Sequence, residues 1–315
     1  MRDSRASPDN LMKVSRRELF LTSSVALGTL SHAFGQTPPA PAAPPQPPQT
    51  SFDPLRGSVG IFTGRGGTIG MLVAPDALVV VDTQFADTAK IALGNLKQMS
   101  PRKIDVLINT HHHGDHTSGN AIFRPAAAKH VAHRNVPELQ KNQAAASKSD
   151  AQQAYADITF DTTWSEKLGN ETVSLKYYGP GHTSGDSVVT FQNANVVHMG
   201  DLMFYLRHPR VDRPSGASIK NWIVTLESVA KEHPADTIYI AGHSKVNLPV
   251  TVTRNDLLKF RDYFSGLLAY VQKGIASGRS AAEIVKVASV PGFVDYEGSP
   301  EGTIQAAYDE LTAKG

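Results

Sequence analysis

Between Asn109 and Asn120 the chain reads NTHHHGDHTSGN, with four histidines and one aspartate in six consecutive positions directly after the apolar run IDVLI. In an extended or turning segment His111 and His113 point the same way and His112 the other, by two-residue alternation. Gly114 has no side chain and lets the backbone turn sharply before Asp115 and His116. One short loop can therefore offer two imidazoles to one cation, and a carboxylate with a third imidazole to another. Three more donors stand downstream: His182 in GHTSGD, Asp201 in MGD and His243 in GHS. Catalytic zinc usually takes three protein ligands plus water. His111, His113 and His182 make one such set, and Asp115, His116 and His243 a second, so two Zn2+ per chain are expected. His112, His130, His133, His198 and His233 are read as structural or surface residues.

The elements around these residues explain how they could meet. SVGIFTG, TIGMLVA and ALVVVDT are short β-rich runs split by the turn formers RGG and APDA. Residues 86–99 carry apolar positions at Ala89, Ile91, Ala92, Leu93 and Leu96, the spacing of a helix face. IDVLIN is a buried strand by its near-continuous apolar run. TVSLKYY, DSVVTF, NVVHMG and TIYIAG read as further strands, and ASIKNWIVTLESVAKEH as an amphipathic helix. The donors follow strands in every case, where side chains from parallel neighbours can converge on one rim of a sheet. Residues 135–160 are polar and alanine-rich and read as a helical cap over the pocket. After Val250 the chain is helical except for PGFVDYEGSP, with Leu257, Leu258, Phe260, Phe264, Leu267 and Leu268 expected to pack on the core. Trp164 and Trp222 are expected in the core or groove wall.

Composition sets the limits. At 315 residues and 40% hydrophobic the chain can build a real core, and with no cysteine it has no disulfide, thiolate ligand or cysteine nucleophile. Residues 1–36 read as an export signal. Arg16 and Arg17 precede an apolar stretch, Leu19 to Leu30, that is too short for a membrane span of roughly 20 residues. The paired arginines are of the twin-arginine type, which makes the mature protein periplasmic with no stable membrane insertion. Residues 37–50 are proline-rich and read as an extended spacer, leaving 51–315 as the catalytic body. The leader holds the whole formal charge of +2, so the mature chain is neutral. It has no basic stripe for nucleic acid. A small-molecule substrate is the expected partner, and the sequence sets no oligomeric state.

The series His111-x-His113-x-Asp115-His116, GHTSGD, MGD and GHS resembles the metallo-β-lactamase fold superfamily over roughly residues 55–250. The resemblance implies an α/β fold, an αββα sandwich of two mixed sheets flanked by helices, here with a helical C-terminal extension. It implies that Asp201 bridges two ions and that Asp82, closing LVVVD, supports a ligand from behind. Lacking cysteine, the chain is not of the cysteine-ligand lactamase type. An aspartate such as Asp201 is more like glyoxalase II, lactonases and related exported hydrolases. His113 stands where flavodiiron oxidoreductases have glutamate. Mononuclear iron persulfide dioxygenases keep much of this motif set and are the rival from another reaction class, and a metal-binding periplasmic protein without catalysis is a third.

With no side-chain nucleophile, the expected chemistry is metal-assisted hydrolysis. A water shared by two cations is deprotonated near neutral pH and attacks an ester, lactone, thioester or amide carbonyl, β-lactams included. Asp115 orients that hydroxide. Beyond Asp201, the segment DLMFYLRHPRVDRPSG should border the groove, and Tyr205, Arg207 and His208 are its candidate substrate contacts.

Overall fold

The structure, a computed structural model, describes residues 48–147 and 153–313. The leader and residues 37–47 of the proline-rich linker lie outside the described residues. Among those described, no helix is long and apolar enough to cross a membrane.

The first sheet has seven strands in chain order: β1 (Ser51–Arg56), β2 (Val59–Thr63), β3 (Ile69–Val73), β4 (Leu78–Val81), β5 (Ile104–Asn109), β6 (Ala127–His133) and β7 (Ile158–Phe160). β1 to β4 pair antiparallel, and β4 to β7 run parallel. The second sheet contains β8 (Thr163–Leu168), β9 (Glu171–Lys176), β10 (Val188–Phe191), β11 (Val196–His198), β13 (Ile238–Ile240) and β15 (Thr251–Val252), in the order β15-β13-β11-β10-β9-β8. Only β11 and β13 are parallel there. A separate two-stranded piece joins β12 (Phe204–Tyr205) to β14 (His243–Ser244).

Two-residue alternation divides each apolar strand between two cores. In β4, Val79 and Val81 pack with Val106, Val189 and Phe191 between the sheets, while Leu78 and Val80 face helix α1 (Ala86–Met99). That is why these strands read as continuous apolar runs. α1 buries Ala89, Ala92 and Leu96 as its spacing predicts. The outer face of the second sheet is covered by α5 (Ile219–Glu232), α6 (Arg254–Ala276) and α8 (Glu301–Thr312). Leu257, Phe260, Phe264 and Leu267 are buried in that cluster, and Leu268 packs against it. A reciprocal Thr253–Asp256 capping box starts α6. The short α7 (Ala281–Ile284) connects α6 to α8.

The cap reading over 135–160 holds only in part. Helix α4 covers Asn135–Ser147, but its far end, 158–160, is β7, paired with β6. β6 itself, AAKHVAH, was not foreseen as a strand because alanine and histidine carry little β signal. Its four terminal residues are nonetheless buried.

Candidate metal centre

All seven expected donors meet at one rim of the sandwich. β5 ends at Asn109 and delivers Thr110 to His113; the short helices α2 (Gly114–Thr117) and α3 (Asn120–Phe123) follow. His182 follows β9, Asp201 follows β11, and His243 begins just beyond β13. His111, His113, His182 and Asp201 form one group whose ligand atoms all lie within 4.8 Å of one another. Asp115, His116, Asp201 and His243 form a second under the same limit.

Hydrogen bonds behind the rings fix which nitrogen faces forward. His116 Nδ1 lies 2.7 Å from the Asp82 Oδ2 carboxylate oxygen, so Nδ1 carries a proton and Nε2 faces Asp201. The His182 Nδ1 donates to the Arg210 carbonyl at 2.7 Å, leaving Nε2 bare. His113 reverses this, donating from Nε2 to Asp212 Oδ2 at 2.8 Å, which leaves Nδ1 bare. The Thr110 hydroxyl donates to Asp82 Oδ2 at 2.7 Å and accepts from His111 Nδ1 at 3.0 Å. His111 Nε2 is then a bare, buried atom with no hydrogen-bond partner.

The forward-facing nitrogens crowd together. His113 Nδ1 and His182 Nε2 are 2.8 Å apart, and His116 Nε2 and His243 Nε2 are 3.4 Å apart. Facing lone pairs at such distances repel unless a proton or a cation stands among them. Asp201 directs one oxygen to each group. Its Oδ2 lies 3.4 Å from His182 Nε2 and 3.9 Å from His111 Nε2. Its Oδ1 lies 2.9 Å from His116 Nε2 and 3.4 Å from His243 Nε2, yet has no partner in hydrogen-bond geometry. The donors present fit a pair of cations sharing one carboxylate.

Electrostatics agree. Burial pulls His111 well below the usual histidine range, with His116 adding to the effect, and burial with neighbouring His113 brings His182 down to about 3. The second group behaves oppositely. Burial opposes charge on His116 and His243, but Asp201 with Asp82 and Asp115 raises His116 well above its ordinary value, and Asp201 with Asp115 raises His243 to about 9. Burial would raise Asp115, but His116 and His243 hold it down at about 2. This second group demands positive charge.

Of the residues behind the donors, one was expected from the sequence and the others were not. Asp82 was expected behind a ligand, and its carboxylate receives the Thr110 N–H at 2.8 Å besides the Thr110 hydroxyl and His116. It holds this position with φ at 64°, a left-handed conformation that a side-chain-bearing residue adopts at a cost. Gly67 was read only as part of a turn and Gly242 only as part of the GHS motif after a strand. A Cβ on Gly67 would lie 2.0 Å from the His116 ring, and one on Gly242 2.1 Å from Asp201 Oδ1. Thr110 is hidden by its small size beside the histidines. Asp212 lies far from His113 in the chain, and no local signal links them.

The groove residues divide. Arg207 lines a cleft of about 480 Å³ together with Thr68, Gln84, Gly242, His243 and Leu248. Tyr205 pairs with Ser244 beside His243. The His208 imidazole is instead buried, with Nδ1 2.8 Å from the Tyr263 hydroxyl and the ring against Tyr296. Aromatic packing against Tyr263 of α6 and Tyr296, not the donor rim, occupies that ring. Trp222 is fully buried, donates to the Leu202 carbonyl at 2.9 Å and stands against His182. Trp164 is half-buried and packs on the core between the sheets. His130 and His198 are buried in hydrogen bonds to Asn109 and to the Thr68 carbonyl, as structural residues are.

Two mixed sheets with helices outside both, and a histidine and aspartate cluster at one rim, define a metallohydrolase-type sandwich. Residues 62–243 match the profile of the metallo-beta-lactamase superfamily, and the chain belongs to that superfamily. It is 26% identical over 185 residues to a protein of Methanocaldococcus jannaschii named as a probable metallo-hydrolase, covering 53% of this chain and 83% of that one. It is also 26% identical over 192 residues to the metallo-beta-lactamase type 2 of Bacillus sp. (strain 170), covering 60% and 71%. Among solved structures, the sec-alkylsulfatase Pisa1 from Pseudomonas sp. superposes with a TM-score of 0.62 at 16% identity, over 80% of this chain and 49% of that one. The last likeness is one of fold.

Proposed function

We propose that this protein is a zinc-dependent hydrolase holding two ions per chain. His111, His113 and His182 would hold the first and Asp115, His116 and His243 the second, with Asp201 turning one oxygen toward each group. The bonds it cleaves are esters, lactones, thioesters or amides, the β-lactam amide among them. The observation that carries this reading is the convergence of ring nitrogens and carboxylates from two complete donor groups on the two oxygens of Asp201. The completeness of both groups favours a pair of zinc ions over a single iron, and the hydrolase relatives support the reaction class.

Bound there, the cations would supply Lewis acidity, making hydroxide available near neutral pH and polarising the oxygen of the bond to be cleaved. The chain's own residues do the rest. Asp115, 29% exposed at its side chain and held ionised, accepts a hydrogen bond from the attacking water and orients it. Its low pKa suits it to orientation more than to proton storage. Phe204 stacks on His243 and Trp222 stands edge-on to His182, so the ligand rings cannot swing. Arg207, in the cleft wall beside His243, offers a cation to an anionic group of the substrate.

The test combines metal analysis with a substrate panel. Two zinc ions per mature chain and turnover of at least one carbonyl substrate are expected, and His113→Ala should abolish that turnover. One iron per chain with persulfide oxidation would overturn the reading. We extend it to export through the twin-arginine route, on the strength of Arg16 and Arg17 and the short apolar stretch after them.

A further inference from the structure

The two ligand groups are braced differently. His116, in the second, rests on Asp82 at the end of β4, a residue locked into the sheet. In the first, His113 and His182 both rest on one loop that leaves the Asp201 turn. Asp212 Oδ2 receives His113 Nε2–H at 2.8 Å, and two residues earlier the Arg210 carbonyl receives His182 Nδ1–H at 2.7 Å. The same loop is tied back by the Asp212 N–H to the His182 carbonyl at 3.2 Å and by Ser184 N–H to the Ser215 carbonyl at 2.9 Å. Asp212 is itself buried.

Asp212 explains an asymmetry within the first group. His111 and His182 present Nε2, whereas His113 presents Nδ1. A neutral imidazole can bare either nitrogen, and which one is set by the partner at the other. A carboxylate only accepts, so at 2.8 Å it holds the proton on Nε2. Without it the ring is free to protonate Nδ1 and turn a donor toward His182. His112 and Arg210 also approach Asp212 Oδ2, at 3.8 and 3.9 Å, but neither competes with the shorter His113 contact.

We propose that Asp212 is a positioning residue that locks the His113 tautomer and so sustains the first cation position selectively. Resting on the two-ion reading above, this role is separable from it by experiment. The zinc-loaded full chain and its Asp212→Ala, Asp212→Asn and Asp212→Glu variants are titrated with a competing chelator, and the ions are counted. The wild type should hold two. Asp212→Ala should hold one as tightly as the wild type and bind the other about 10–100-fold more weakly, with Asp212→Glu recovering part of the loss. Ring-nitrogen NMR of the same samples should show the Nε2–H form of His113 in the wild type and its loss in Asp212→Ala.

Wild-type affinity at both positions in Asp212→Ala, or equal weakening of both, would overturn the role. So would loss of a third zinc carried by the wild type, since His112, His113 and Asp212 lie close enough to hold a cation themselves. Should the alanine variant fail to fold, Asp212→Asn decides. It keeps an acceptor but loses the charge, and it should show the same selective weakening to a smaller degree, whereas unchanged binding would overturn the proposal. A wild type that binds no zinc would defeat the two-ion reading instead, and the NMR arm would still report whether Asp212 sets the ring.

Discussion

Asp82 is no ligand, yet its one carboxylate steadies both groups: His116 directly and His111 through the Thr110 hydroxyl. Asp82→Ala should therefore weaken zinc binding at both positions, each by about 10–100-fold, as chelator competition would measure. His243 gives a prediction of opposite character. Its ordinary value is near 6.5, but Asp201 and Asp115 overcome burial and raise it to about 9. In the zinc-free protein the stabilisation from its proton is thus complete below about pH 6.5 and is lost as pH rises through 9. A cation must displace that proton, so apparent zinc affinity should keep improving up to about pH 9. A plateau already at 6.5 in a metal titration would contradict the geometry. The ligand types were legible because histidine and aspartate at that density have few other uses. What lay behind them was not: Asp212, Arg210 and Gly242 act across chain separations that spacing cannot encode.

At the scale of elements, the C-terminal helices hold the site from a distance. Glu310 of α8 reaches the first turn of α5, where its carboxylate accepts from Ile219 N–H at 2.7 Å, Lys220 N–H at 3.2 Å and the Ser218 hydroxyl at 3.0 Å. Carboxylates are favourable at helix N-termini, and this one is nearly buried. α5 in turn presents Trp222 to His182 and Asn221 to the Tyr178 and Pro180 carbonyls, which shape the loop before His182. Glu310→Ala should cost about 1–3 kcal/mol in chemical denaturation, since it leaves the N–H of buried Ile219 unpaired and removes a charge from the start of α5. Trp222→Ala should cost about 3–5 kcal/mol and disturb zinc binding at the His182 side as well. The helices α1 and α5 were readable from their apolar spacing, and so were the strands that precede ligands, because β5, β11 and β13 serve two cores and β9 alternates cleanly. Edge strands such as β1, β7 and β8 were not, since half-exposed polar sequences like TWSEKL carry little apolar contrast.

For the whole molecule, a metal held by this cluster of ring nitrogens and carboxylates would tie folding to its binding. Zinc at a hundred times its dissociation constant should stabilise the native state by about 2.7 kcal/mol per site. Chelation should lower the melting temperature accordingly, and a melting curve indifferent to chelator would mean that the rim is not a metal centre. Export is tested separately. Replacing Arg16 and Arg17 together by lysine should leave the protein in the cytoplasmic fraction, and unchanged periplasmic recovery would remove the twin-arginine reading.

The Asp201 carboxylate, with one oxygen turned to each group, has a further consequence for how the centre fills. On the two-ion reading, a cation held by one group would withdraw charge from the Asp201 oxygen that faces the other, and would also fix the rotation of that carboxylate. Arrival of one guest thus both readies and discourages the next. Half-filled protein should accordingly be a distinct species at substoichiometric zinc, with occupancy rising in two steps and not as one smooth curve.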